Sequence, residues 1–249
     1  MKKKLVLLFC LVACVINAQM ATEKKLPWDY PVKMESPEWE KLQFGEPGEL
    51  LAALQIPEDV LSSLSTEDLT AICLKYPFIR FITYGAAYDE RLDLLFEEFN
   101  GIRELFKRND ASKELLKQHE LMIKNLSFLE GEAPGIEKSR FTFTICAVEI
   151  LLSRFQFHDN DQKSNYIEIL QSLVSYYEKM HLYKDYFGIL QIRSNAYSKA
   201  KILVKIDEKN IDKIPLGYSN RLFNKESQLD EQTERAINEL SYQFTIKNN

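Results

Sequence analysis

The sequence predicts an all-α protein, built as an irregular multi-helix bundle or a short superhelical array of helix pairs, with roughly eight to ten helices. Three observations carry that prediction. Apolar residues recur at helical spacing in segment after segment. Helix starts and stops are written locally, as in Ser65-Thr66-Glu67-Asp68 and Tyr76-Pro77. Glycine and proline are scarce, eight of each in 249 residues, which excludes a low-complexity or disordered chain. No fixed-period repeat is visible, so a regular solenoid is not expected.

The elements follow in chain order. Lys2, Lys3 and Lys4 precede an apolar run from Leu5 to Ile16, and Asn17-Ala18 ends on a small residue before Gln19. That is the layout of a secretory signal peptide over residues 1–18, and the run is too short for a permanent membrane span. The protein is expected to be exported, into the periplasm or beyond the cell. A rival reading takes Leu11-Val12-Ala13-Cys14 as a lipobox, with lipidation of Cys14 anchoring the chain at a membrane surface. It is disfavoured because the apolar run continues past Cys14.

Residues 19–44 form an extended N-terminal arm rich in proline, whose Trp28 and Trp39 dock it onto the body. Residues 45–249 make a single helical domain. Its first helices are Glu49 to Gln55, a segment begun by Pro57, and a Ser65-capped helix stopped at Tyr76-Pro77. Phe78 to Tyr84 forms a short buried helix. Ala87 to Arg108 reads as one helix running through Gly101, and Asp110 caps the next, Ala111 to Lys124.

Ile136 to Phe157 is the central helix, apolar around most of its girth. At about 100° per residue, Thr142, Glu149, Ser153 and Gln156 fall within roughly 160–220° of Arg140. This polar stripe is expected to be a narrow solvent face, the alternative being the wall of a groove. Glu149 has no cationic partner along it. Two helices, Gln162 to Met180 and Tyr183 to Ile206, then form an antiparallel hairpin. Asn210 to Gln228 is an irregular strap with Ile211, Ile214, Leu216 and Leu222 as apolar teeth. Asp230 opens a final helix reaching about Phe244.

Few residues point to chemistry. His119, His158 and His181 share no spacing, and His119-Glu120 lacks the second histidine of a zinc protease helix. His158-Asp159-Asn160-Asp161 fails as a calcium loop, because the later ligand places hold Lys163, Ser164 and Leu170. Glu97-Glu98 and Glu130/Glu132 read as charged faces rather than acid–base pairs. No catalytic residue, metal site or cofactor is predicted. Cys73 and Cys146 follow the signal segment, and export permits a disulfide between them, but each sits where a free cysteine packs as a small hydrophobe.

Charge excludes other classes. The net charge is −5, and removing residues 1–18 takes three of the 32 Lys+Arg and none of the 37 Asp+Glu, giving −8. Binding to nucleic acid or to an anionic membrane surface is therefore not expected.

Trp28-Asp29-Tyr30-Pro31-Val32 with Glu38-Trp39, then Ile56 to Pro77 (IPEDVLSSLSTEDLTAICLKYP), then Phe99 to Ala111 (FNGIRELFKRNDA) resemble an uncharacterised group of exported helical proteins of Bacteroidetes bacteria. The resemblance covers the N-terminal third of the chain. It implies bacterial export and carries across no functional residue. Two functions are expected on these grounds. One is a non-enzymatic interaction or scaffold protein of the cell envelope or secreted fraction, partnered by another such protein. The alternative is a hydrolase acting on glycan, peptide or cell-wall material, with Glu149, His119 or His158 in a cleft.

Overall fold

Short-range chemistry starts and stops the helices of the N-terminal half. The structure is a computed structural model that describes residues 25–46, 48–85, 87–157, 162–214 and 230–247. Residues 1–24, with the expected signal segment and Cys14, and residues 158–161, with His158, lie outside the described residues. Every regular element among the described residues is helical: eleven α-helices and four 3₁₀ segments. The all-α expectation holds.

The Ser36 hydroxyl accepts from the Trp39 N–H at 3.1 Å and opens α1 (Pro37–Gln43). Helix α2 (Glu49–Ala53) follows, and α3 (Glu58–Ser63) begins directly after Pro57. The Ser65 hydroxyl accepts from the Asp68 N–H and opens α4 (Thr66–Leu74), which stops before Tyr76-Pro77 as predicted. The arm is docked. Trp39 is buried, Trp28 packs against the core, and the Tyr30 hydroxyl donates to the Ile72 carbonyl at 3.0 Å.

The helix expected over Ala87 to Arg108 is two helices, α5 (Tyr88–Glu98) and α6 (Asn100–Leu105), broken at Phe99, which is extended at φ −130°, ψ 114°. A distant segment causes the break. Asn100 Nδ2 donates to the Ile56 carbonyl at 2.7 Å, and Asn100 Oδ1 accepts from the Ile56 N–H at 3.0 Å. Gln55 mirrors this, accepting from the Asn100 N–H and donating to the Glu98 carbonyl. The turn folds Phe99 back onto Gly101, where a β-carbon would lie 2.4 Å from Phe99 Cζ and 2.9 Å from Ile56 Cδ1. Gly101→Ala is therefore expected to destabilise by about 1–3 kcal/mol through overpacking. Urea denaturation reads this as a lower midpoint at unchanged slope. A midpoint equal to wild type would mean the close approach is not enforced.

The long helices make the second half. They are α7 (Ala111–Lys124), α8 (Gly135–Arg154), α9 (Gln162–Met180), α10 (Ile189–Ile206) and α11 (Glu231–Lys247). Asp110 precedes α7 but spends its carboxylate on the Thr66 hydroxyl at 2.8 Å rather than capping its own helix. Helix α8 ends at Arg154, short of Phe157, where Lys205 Nζ donates to the Ser153 carbonyl at 2.7 Å and to that of Phe155. Helix α10 begins at Ile189 rather than Tyr183. Gly188 precedes it with its N–H donated to Gln191 Oε1 at 3.0 Å, and residues 181–183 form a separate 3₁₀ turn. Asp230 caps α11 by accepting from the Thr233 N–H at 2.7 Å. Of the predicted strap, Glu208–Lys213 is a 3₁₀ segment with Ile214 buried behind it, and residues 215–229 lie outside the described residues.

Two helices organise the packing. Helix α8 is covered by α7, by α10 and by the 3₁₀ turn Ile79–Thr83. Helix α10 is covered by α8, α9 and α11, and its pairing with α9 is the predicted hairpin. One core runs from Tyr30 to Ile237, with a smaller cluster around Leu129, Ile145, Tyr176 and Phe187. Little girth on α8 or α10 is left to face water.

Candidate functional site

The polar stripe of α8 faces inward, which corrects both readings of it. Thr142, Glu149 and Ser153 are buried, Glu149 completely, so the stripe is neither a solvent face nor a groove wall. Gln156 is separated from the other three. It lies beyond the end of α8 and is exposed, beside a shallow depression with Asp93, Phe96 and Arg154.

A second polar stripe meets the first. Gln191, Asn195, Ser198 and Lys199 lie at helical spacing on α10 and are all buried. Gln191 Nε2 reaches the Thr142 hydroxyl at 3.4 Å. Asn195 Nδ2 donates to Glu149 Oε1 at 2.6 Å and to the Leu173 carbonyl at 3.1 Å. Thr142 and Ser153 donate their hydroxyls to carbonyls of their own helix, Ser139 and Ile150. Glu149 is thus the one member of the α8 stripe that ties helices together through a charge.

Three ionisable groups converge there. His119, on α7, places Nε2 3.5 Å from Glu149 Oε1, and both side chains are 0% exposed. Its Nδ1 lies 2.8 Å from the Ser172 hydroxyl on α9, and Tyr176 packs edge-on against the ring. Lys199 is buried on α10, with Nζ donating to Asn238 Oδ1 on α11 and sitting 4.1 Å from the Tyr177 ring centroid. Burial pushes the Lys199 ammonium down to about 7, against the opposing pull of Glu149, then Glu234. The ionisable neighbours that Glu149 lacks along its own stripe come from α7 and α10.

A carboxylate, an imidazole and an ammonium are an acid–base set in kind, but here they are sealed beneath α7, α9, α10 and α11. What the arrangement does is tie five helices through one polar node. The expectation that Glu149 and His119 share a cleft is corrected accordingly: they meet inside the core. Among the described residues, no cluster of three or more His, Cys, Asp or Glu side chains is arranged to hold a metal ion.

The disulfide is likewise corrected. Cys73 and Cys146 are both free and buried. Cys73 packs in the main core on α4, and Cys146 lies on α8 one turn before Glu149, beside Ser194. Burial pushes both thiols up, so they behave as small apolar groups.

Asn195, Lys199, Ser172 and Asn238 were missed by sequence reasoning. The signal for the first two was present, because Gln191, Asn195 and Lys199 recur every four residues on a helix otherwise rich in core residues. No helix among the described residues is long and apolar enough to cross a membrane. No family model, curated protein or solved structure matches the chain.

Proposed function

We propose that this protein is an exported helical interaction module of the bacterial envelope or secreted fraction, which binds another envelope or secreted protein and performs no chemistry itself. The observation that carries the reading is an exposed aromatic face beside the N-terminal half of α8. Tyr84 is 49% exposed and Phe81 44%, and their rings pack edge-on at 6.4 Å. Tyr84 also meets Phe143 of α8 at 6.0 Å. Ile136, 58% exposed, precedes Phe143 by seven residues and so shares its face of the helix. Apolar rings gathered on a surface and rimmed by Arg91, whose guanidinium stands over Phe81, are the composition of a protein-binding patch.

The basic and apolar N-terminal segment supports export. The acidic balance supports a protein partner rather than nucleic acid. The test is cross-linking in the native cell envelope followed by co-purification, with wild type compared to Phe81→Asp/Tyr84→Asp. A near-stoichiometric partner captured by wild type and lost from the variant, at unchanged circular dichroism, is the expected result. Equal capture by both proteins would remove this face from consideration.

A further inference from the structure

We propose that the cavity between the N-terminal arm and the helical body binds a small phosphate-bearing anion, held by Arg80 and Arg140. This cavity, about 400 Å³, is walled by Asp29, Tyr30 and Val32 to Glu35 of the arm on one side, and by Leu74, Lys75, Pro77, Arg80 and Arg140 on the other. That size suits a phosphate group with a few attached atoms. The inference does not depend on the partner-binding reading.

The two arginines of the cavity, Arg80 and Arg140, differ in their pairing, and two carboxylates, Asp29 and Glu35, line it with them. Asp29 is taken by Lys33 at 2.5 Å. Arg140 is shared between Glu137 at 2.7 Å and Glu35 at 3.3 Å. Arg80 has no carboxylate in ion-pair range among the described residues, and its guanidinium contacts only the Met34 thioether at 3.8 Å, a weak acceptor. Burial, then the like charge of Arg140, holds the Arg80 guanidinium below its ordinary range. A half-buried guanidinium that shares a cavity with a second one and has a thioether as its acceptor has the chemistry to recognise an anion.

Glu35 indicates what belongs there. It is the one non-glycine residue with positive φ among the described residues, at +67°. That strained backbone sets its carboxylate at the mouth of the cavity against Arg140, while its side chain is 81% exposed. A long, solvated contact of this kind is easily displaced. It behaves as an internal competitor occupying one edge of the anion site. A phosphate monoester suits the rest better than a carboxylate does, because its three terminal oxygens and near-double charge can serve both guanidinium groups at once. The overall negative charge of the chain opposes polyanions at long range and leaves a small anion as the ligand.

The phosphate could be free in solution or carried on a lipid headgroup, and the experiment separates the two. The full exported chain is titrated calorimetrically at pH 7.5 with inorganic phosphate, and with acetate and chloride at matched ionic strength. Phosphatidic acid vesicles are tested in parallel by co-sedimentation. The expected result is phosphate-specific binding that weakens at least tenfold in Arg80→Met and tightens several-fold in Glu35→Gln, which removes the competing carboxylate. Binding of free phosphate alone assigns a soluble ligand, and vesicle binding with the same two responses assigns a headgroup. No phosphate binding beyond the acetate and chloride controls, or binding unchanged by Arg80→Met, overturns the proposal. Should Arg80→Met not fold, Glu35→Gln at the exposed arm decides alone, and an unchanged affinity overturns it.

Discussion

Glu149→Leu is expected to cost about 3–5 kcal/mol, the penalty typical of breaking a buried ionic contact by removing one partner. The lost carboxylate leaves Asn195 Nδ2 without its 2.6 Å acceptor, His119 without the oxygen 3.5 Å from its Nε2, and the Lys199 ammonium without the largest favourable charge acting on it. For a chain of this length each kcal/mol moves the melting temperature by about 2–4 °C, so a fall of at least 6 °C is predicted by calorimetry. Ser153→Ala on the same stripe is the control. Its hydroxyl bonds only the Ile150 carbonyl of its own helix, and a change within about 1 kcal/mol is expected. Glu149→Leu combined with Lys199→Met removes charge from both sides of the node and is expected to recover part of the loss, since paired apolar replacements of buried ions are often neutral. Equal losses in Glu149→Leu and Ser153→Ala would show that the node contributes no more than an ordinary buried hydroxyl.

The contrast between Glu149 and Ser153 also marks what the sequence could tell and what it could not. Helix starts were readable at Ser65 and Asp230 because the accepting oxygen and the donated N–H lie within three residues of each other. The hairpin of α9 and α10 was readable from periodicity alone. The break at Phe99 was not, because it depends on an exchange of hydrogen bonds between Asn100 and Ile56, 44 residues earlier, that local pattern does not contain. Periodicity correctly placed Thr142, Glu149 and Ser153 on one face of α8, but it says nothing about what covers that face. A polar stripe against water and a polar stripe against another polar stripe give the same pattern on one helix. Only the matching run Gln191, Asn195, Lys199 on α10 distinguishes them, and reading the two together requires knowing that α8 and α10 pack. The anion cavity was unreadable for the same reason: Arg80 and Arg140 are 60 residues apart and meet only once the arm is laid over both.

Stability is expected to rise between pH 7 and about 8.5, whereas most proteins are most stable between about pH 5 and 8. Burial pushes Lys199 down to about 7, and burial together with the like charges of Lys201 and Arg154 does the same to Lys205. In the unfolded chain both ammonium groups keep their protons to about pH 10.4. Between those limits the unfolded state binds more protons than the folded one, so unfolding becomes less favourable as pH rises. The full cost of burying charge is borne below pH 7 and disappears above the unfolded value. Each lysine adds at most about 1.4 kcal/mol per pH unit over this window. Burial pushes the Cys73 and Cys146 thiols and Tyr30, Tyr76 and Tyr88 the other way, up. Above about pH 8.5 the unfolded chain sheds thiol protons that the folded chain keeps, which offsets the lysine gain, and above about pH 10 it sheds phenolic protons as well, so stability falls. The melting temperature is therefore predicted to reach its maximum between about pH 8.5 and 10. Lys199→Met and Lys205→Met are each predicted to flatten the rise between pH 7 and about 8.5 and to leave the alkaline fall in place. A melting temperature that declines steadily from pH 7 would mean that both lysines stay charged in the folded chain. In that case Glu149 and the Ser153 carbonyl would be holding ammonium ions in the core, and the Glu149→Leu penalty would lie at the top of its range.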